Sequence, residues 1–287
     1  MSSTPTPFAA WVGRQHTVHD CVTQAPVDGL SAALDYPRAL ATVGSALPAC
    51  WHWLYFLEPA RASSIAVDGH PQRGDFLPPI ELPRRMWAGS RLRFHAPVYV
   101  GDTLRRVSTI VSIEHKVGRS GELVFVTLHH AVMRDHDCLL EEEQDLVFRA
   151  APVKQAAASR TTRRTESGPA TLSRLVYPDP VLLFRYSALT LNSHRIHYDR
   201  SYAVEQEGYA GLVVQGPLTA TLLLDLLRRE GIEAPLKTFE FRAVQSLTDG
   251  APVRLCANKG PEQIMQLWAE DARGDLSMSA TAEFVAL

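Results

Sequence analysis

The alternation of apolar and polar positions divides the chain into two similarly built halves. In the first half, strand-like runs cover residues 91–96, 103–111, 122–132 and 144–149, separated by the turn signals Gly101-Asp102 and Gly118 to Gly121. In the second half they cover 238–243, 253–257, 263–270 and 278–285, with a turn at Asp249-Gly250-Ala251-Pro252. Phe94-His95-Ala96 falls on Phe241-Arg242-Ala243 at an offset of 147 residues. Strand, Asp-bearing turn and strand then follow in the same order in both halves, which predicts a duplicated unit.

Helical pattern is confined to the front of each half. The run from Gly216 to Arg229 is apolar nearly all round, which predicts a buried helix. Pro217 suits its first turn, and Arg228, Arg229 and Gly231 suit its end. A weaker counterpart spans 28–34. Trp51, Trp53 and Tyr55 alternate with His52, Leu54 and Phe56, which predicts a strand covered on both faces. The expected architecture is α+β: one buried helix wrapped by an antiparallel sheet, used twice.

Residues 151–173 are small, polar and basic, with almost no bulky apolar side chain. Such a stretch cannot bury enough surface to offset its ordering entropy. The expected organisation is therefore a first unit over 1–150, a linker over 151–173 and a second unit over 174–287.

Composition narrows the class. Lys plus Arg is 29 against 31 for Asp plus Glu, a net charge of −2, so no basic face for nucleic acid is expected. At 46% hydrophobic residues the chain can fill a sizeable core. No apolar run approaches the ~18 residues of a membrane span, and residues 1–7 lack the basic start and apolar stretch of an export signal. The four cysteines are too scattered for a CxxC metal site and too few for a disulfide framework. A cytoplasmic protein is expected.

The densest polar cluster runs from Phe184 to Asp199 and holds Arg185-Tyr186-Ser187-Ala188-Leu189-Thr190, Asn192, His194, Arg195, Ile196, His197 and Tyr198. Gly216-Pro217 follows at the start of the expected buried helix. This string resembles the MaoC-like hot-dog hydratases and dehydratases of acyl thioesters, whose motif reads Asp-x-Asn-Pro-Leu-His-x-Asp. Asn192 stands at the Asp position, His194 at the Asn position, and His197 and Asp199 match directly. The longer string is similar to the double hot-dog subgroup of type 2 hydroxyacyl-thioester dehydratases and mesaconyl-C4-CoA and itaconyl-CoA hydratases. Trp11-Val12-Gly13-Arg14, Trp51 to Phe56 and Pro83 to Gly89 extend the resemblance over nearly the whole chain outside 151–173.

The resemblance implies a double hot-dog fold and a hydro-lyase that needs no metal and no cofactor, CoA being part of the substrate. It implies that the matching glycine, Gly216, offers its backbone N–H to the thioester oxygen. An imidazole titrates near neutrality, so His197 is the expected proton-transfer group, with His194 second. Asn192 cannot act as a base, but it can orient water and bind substrate. Asp199 is expected to cap the following turn. A His pair at i, i+3 without a third suitably spaced ligand does not make a metal site. The first half carries no counterpart of the motif and is expected to shape the acyl pocket.

The expected reaction is hydration of a short branched dicarboxylic enoyl-CoA, mesaconyl-C4-CoA or itaconyl-CoA, to citramalyl-CoA. A free carboxylate needs a cationic partner, and Arg84, Arg85, His194, Arg195 and Trp87 are the expected substrate contacts. The alternatives are dehydration of (3R)-3-hydroxyacyl thioesters in fatty-acid synthesis and a non-catalytic acyl-CoA-binding protein. A hot-dog thioesterase typically relies on a carboxylate near the helix start, which Gln215-Gly216-Pro217 does not offer. Beyond the acyl-CoA, the expected partner is a second copy of the chain in a homodimer, with neither nucleic acid nor membrane.

Overall fold

The computed structural model describes residues 8–118, 121–150 and 168–286. In the first half, strand β1 (Gln15–Cys21) leads into helix α1 (Gln24–Ala33), and β2 (Arg84–Phe94), β3 (Thr103–Gly118), β4 (Gly121–Arg134) and β5 (Asp137–Arg149) follow. The second half opens with β6 (Leu172–Val176) and helices α2 (Pro180–Leu189) and α3 (Gly216–Arg229). It closes with β7 (Leu236–Ala243), β8 (Val253–Lys259), β9 (Ile264–Glu270) and β10 (Leu276–Phe284).

The ten strands of the described residues form one antiparallel sheet in the order β1-β3-β4-β5-β2-β7-β10-β9-β8-β6. Read outward from its middle, the two halves repeat the same strand order. They join where β2 pairs with β7, from Gly89 opposite Arg242 to Arg93 opposite Thr238. A side chain at Gly89 would stand 2.4 Å from the Phe241 carbonyl, so this junction requires glycine. The two expected sheets thus merge edge to edge, which leaves no unpaired strand at the junction.

Most of the core lies between the sheet and α3, which is buried from Pro217 to Leu227. Its one buried carboxylate, Asp225, accepts from Arg174 and Arg229 at 2.9 and 2.8 Å and from the Tyr36 hydroxyl at 2.6 Å. These partners come from both halves, so the helix is fastened across the pseudo-repeat.

The repeat is incomplete where it matters. Helices α1 and α2 follow equivalent edge strands and pack on each other. The second half then builds α3, whereas residues 34–83 of the first half contain no helix longer than a single turn. Trp51–Leu54 forms a 3-10 turn and not the expected strand. Cys50 and Phe56, at φ 67° and 58°, bend the backbone out of the extended region on either side of it. The expected linker lies outside the described residues up to 167, and its last two residues, Leu172 and Ser173, belong to β6.

Candidate active site

A cavity of about 530 Å³ opens between the α3 N-terminus and the first half's strands. Three segments build it. The first is the turn after α2. Asp179 caps that helix through the Leu182 N–H at 2.7 Å. Past its end, Leu191 takes a left-handed conformation at φ 50°, and the Asn192 N–H returns to the Ser187 carbonyl at 2.8 Å. The chain therefore doubles back and presents Asn192, His194 and His197 to the cavity. The Asn192 side-chain oxygen, Oδ1, accepts the His194 backbone N–H at 3.2 Å, and the side-chain amide nitrogen has no partner among the described residues.

The second segment is the start of α3. Gln215, 1% exposed, donates to the Leu183 carbonyl and the Ser187 hydroxyl, both at 2.9 Å, and so clamps the helix start onto α2. Gly216 follows at the first helical position. Its N–H has no intrahelical acceptor and carries the positive end of the helix dipole. Outside its own helix, only the Trp87 carbonyl, at 3.7 Å, lies within 4 Å of a side-chain carbon placed there.

His197 joins the two segments. Its Nδ1–H donates to the Val213 carbonyl at 2.7 Å, so Nε2 carries the lone pair. Burial pushes its pKa down to about 4, against the opposing pull of that carbonyl. The ring is neutral at pH 7.

The third segment comes from the first half. Residues 65–71 form a small hairpin, with the Ala66 N–H on the His70 carbonyl at 2.8 Å and Ile65 bridging Pro71. It docks on the 192–199 loop. The Arg195 N–H reaches the Asp68 carbonyl at 2.9 Å, the Ser193 hydroxyl reaches the Gly69 carbonyl at 2.5 Å, and the Arg195 side chain reaches the Val67 carbonyl at 3.1 Å. Gly69 lies at φ 92°, and a side chain there would meet the Ser193 oxygen at 1.9 Å, so only glycine permits the contact.

Docking brings His70 within 4.1 Å of the His194 ring, and His194 lies 5.5 Å from His197. Asp68 Oδ2 accepts from His70 Nδ1 at 3.0 Å, and its Oδ1 accepts the His70 backbone N–H at 2.9 Å. Burial works against the Asp68 carboxylate, but the hydrogen bonds and charge of His70 outweigh it and hold the carboxyl well below its usual range. Burial and then the nearby Arg85 charge lower His70 to about 4. Burial, reinforced by the flanking His70 and His197, lowers His194 to about 2. Donor atoms of Asp68, His70 and His194 lie within 4.8 Å of one another. In the Asp68–His70 contact Nδ1 holds the proton, so the two side chains form a hydrogen-bonded dyad beside His194.

The expected substrate contacts separate into two groups. Arg85, Trp87 and His194 line the cavity. Arg84 does not: it pairs with Glu207 at 2.7 Å and lies over the Tyr209 ring. Arg195 is likewise committed, to Asp199 at 2.7 Å and to the Tyr202 ring at 4.3 Å. Asp199 also caps the next turn through the Tyr202 N–H at 3.1 Å. Arg85 makes no hydrogen bond or ion pair with any described residue, while Arg106, the other arginine on the wall, is held by Glu58 at 2.8 Å. Burial, together with Arg73, brings Arg85 down to about 10, so it stays cationic at pH 7.

The far wall belongs to the first half. Glu142, 3% exposed, accepts from Ser90, Trp53 and His52 at 2.6, 2.9 and 3.2 Å. Burial would raise its carboxyl, but the His52 hydrogen bond and charge hold it at about 2. Trp53 and Phe56 pack on the core and also line the cavity from the 51–56 turn.

The model of the family "hydroxyacyl-thioester dehydratase type 2" matches residues 50–249, more than half of the chain. The mesaconyl-C4-CoA hydratase of Chloroflexus aurantiacus is 46% identical over 278 residues, covering 96% of this chain and 97% of that protein. The chain belongs to the type 2 hydroxyacyl-thioester dehydratase family. The mitochondrial member from Schizosaccharomyces pombe is 28% identical, over 90% of this chain and 93% of its own. Among solved structures, a Mycobacterium tuberculosis protein with a double hot-dog fold superposes with a TM-score of 0.58 at 14% identity, covering 96% of each chain. That likeness agrees with the ten-stranded arrangement. This family member is a hydro-lyase acting on CoA thioesters.

The sequence reading missed Asp68 and His70. The available signal was local: Asp-Gly-His followed by Pro71 marks a turn that presents a His backed by a carboxylate.

Proposed function

We propose that this protein hydrates mesaconyl-C4-CoA to citramalyl-CoA. Hydration of an α,β-unsaturated thioester attaches hydroxyl to the β-carbon and a proton to the α-carbon, with enolate charge developing on the thioester oxygen. The unpaired N–H of Gly216 at the helix start suits that oxygen. His197 offers bare Nε2 to the attacking water, and the free amide of Asn192 is available to the acyl group.

The observation that carries the dicarboxylic substrate is Arg85. Mesaconyl-C4-CoA bears its free carboxylate on the carbon that receives the hydroxyl, so the anion sits beside the reacting centre. A cation is needed there, and Arg85 stands close enough to perturb both His70 and His194, feels the Asp68 charge, and makes no hydrogen bond or ion pair with a described residue. The 46% identity to a mesaconyl-C4-CoA hydratase supports the same reading. The proposal extends to the setting: a homodimer in the cytoplasm, acting in degradation of itaconate, whose CoA thioester is an isomer of mesaconyl-CoA.

Arg85→Ala tests it. Losing the charge-assisted partner of a buried carboxylate costs ~2–5 kcal/mol, or ~30- to several-thousand-fold in kcat/KM for mesaconyl-C4-CoA. Crotonyl-CoA, which lacks the carboxylate, should be spared. An equal loss on both substrates would assign Arg85 a structural or CoA-binding role. Better turnover of crotonyl-CoA and longer enoyl-CoAs by the parent would favour the alternative (3R)-3-hydroxyacyl-thioester dehydratase, for which the apolar reach of the cavity past Trp53, Phe56 and Leu128 has room.

A further inference from the structure

Water addition requires one group to receive a proton from water and a group to hand one to the α-carbon. Whichever imidazole receives it becomes a cation inside a buried site, and such a charge is costly without a counter-ion. His197 is backed only by a backbone carbonyl. Asn192 does not titrate. The His194 ring makes no hydrogen bond to a described residue and lies between two other imidazoles.

His70 differs from all of these. A carboxylate stands 3.0 Å behind its Nδ1, which fixes the tautomer and leaves Nε2 bare toward the cavity. Its hairpin is locked onto the catalytic loop by three hydrogen bonds and by the close approach at Gly69. A carboxylate that orients an imidazole and stabilises its protonated form is the device of the Ser-His-Asp triad.

We propose that His70, held by Asp68, is the proton-carrying residue of this site, supplied by the first half in place of the carboxylate that Asn192 lacks. The inference rests on the hydratase reading. His197 Nε2 accepts a hydrogen bond from the attacking water and aims it. The water gives its other proton to His70 Nε2 as its oxygen bonds to the β-carbon. The C=C electron pair moves through the α-carbon onto the thioester oxygen. The enolate then reforms the carbonyl and takes the proton from the His70 imidazolium at its α-carbon. His70 ends neutral, and one water has been added. Asp68 is a positioning residue: it touches His70 and not the substrate.

The test measures kcat and KM for mesaconyl-C4-CoA in the full-length parent, His70→Ala and Asp68→Asn. Removing a positioned acid/base should lower kcat by ~10²-fold or more with KM held within a few-fold. Imidazole added to His70→Ala should restore part of the rate, which a merely structural defect would not allow. Asp68→Asn, nearly the same shape, should lower kcat at least ~10-fold at unchanged KM and decides the matter if His70→Ala does not fold. A folded His70→Ala with kcat within ~3-fold of the parent, or a loss carried by KM without imidazole rescue, would overturn the proposal. If the parent hydrates crotonyl-CoA but not mesaconyl-C4-CoA, the dicarboxylic reading falls, and the same variants judge the dyad on crotonyl-CoA. A parent that hydrates neither overturns both.

Discussion

After its edge strand and first helix, the second half continues into the 192–197 loop and then α3. The first half, at the same place in its plan, continues into the 51–56 turn and the 65–71 hairpin. The strands of the two halves correspond one to one in order, though those of the first half are longer, and the difference that shapes the cavity lies in residues 34–83. Two things follow from the missing long helix. Space over the first half's strands becomes cavity, walled by Trp53, Phe56 and the Glu142 cluster. Chain that would have been helix is free to reach across to the other half and deliver Asp68 and His70. The two halves also offer complementary groups: the second brings an unpaired N–H and an imidazole without a counter-ion, the first brings a carboxylate-backed imidazole and the unpaired Arg85.

His197→Ala is the strongest way to test the second half's share. The variant should lose ~10²-fold or more in kcat, the usual contribution of a group that positions or deprotonates water. Thermal denaturation should show a folded protein of lowered melting temperature, because the hydrogen bond to Val213 and the packing of the buried ring against His194 are lost. Near-parental turnover would remove His197 from the site and leave the chemistry to the first half.

Next in size is a contrast between two glycines, one from each half. Gly69→Ala places a methyl 1.9 Å from the Ser193 oxygen at a φ that disfavours any side chain. The hairpin must lift, so activity should fall at least ~10-fold and the melting temperature should drop by several degrees, as for ~1–3 kcal/mol of strain. Gly216→Ala meets only the Trp87 oxygen, at 3.7 Å, so its stability should be close to the parent's. Its effect should appear in kcat, through crowding of the thioester oxygen at the helix start. Equal melting temperatures for both variants would show that the hairpin docks loosely.

Much of this was legible in sequence. Helix α3 begins and ends where its apolar run, Pro217 and the terminal arginines place it, and eight of the strands lie on the alternating runs. The three catalytic-motif positions, Asn192, His194 and His197, converge as their spacing implies. The short edge strands β1 and β6 and helix α2 escaped because their patterns are brief and half-exposed. Trp51 to Phe56 misled because an alternating aromatic run looks like a strand whether or not its backbone is extended; the left-handed residues at Cys50 and Phe56 carry no composition signal. Arg84 and Arg85 are indistinguishable as neighbours in sequence, yet alternation along β2 sends one to Glu207 and the other to the cavity. Asp68 and His70 pair locally, but what brings that pair to His194 is the docking of their hairpin on a loop more than 120 residues away, which no local pattern announces.

The smallest expected effect is on the pH profile, and it bears on both halves together. His70 and His197 are held neutral with pKa values near 4 and His194 near 2, burial being the leading cause in each. A catalytic imidazole that must be neutral gives activity above its pKa, so kcat/KM should stay nearly flat from pH 7 down to about 5 and fall as pH approaches about 4. Stability moves over a wider window. In the unfolded chain these rings protonate around 6.5, so the unfolded state binds more protons than the folded one below that pH. The melting temperature should therefore decline as pH falls from about 6.5 toward 4, while the rate measured at a temperature below melting still holds. A rate profile that instead loses half its height near pH 6.5 would mean that the essential imidazole meets solvent as an ordinary surface histidine does, in the first half or in the second. Repeating the profile with Asp68→Asn sharpens the comparison. Loss of that carboxylate removes the one neighbour that favours protonated His70, so an acid limb set by His70 should move to lower pH, whereas a limb set by His197 should not move.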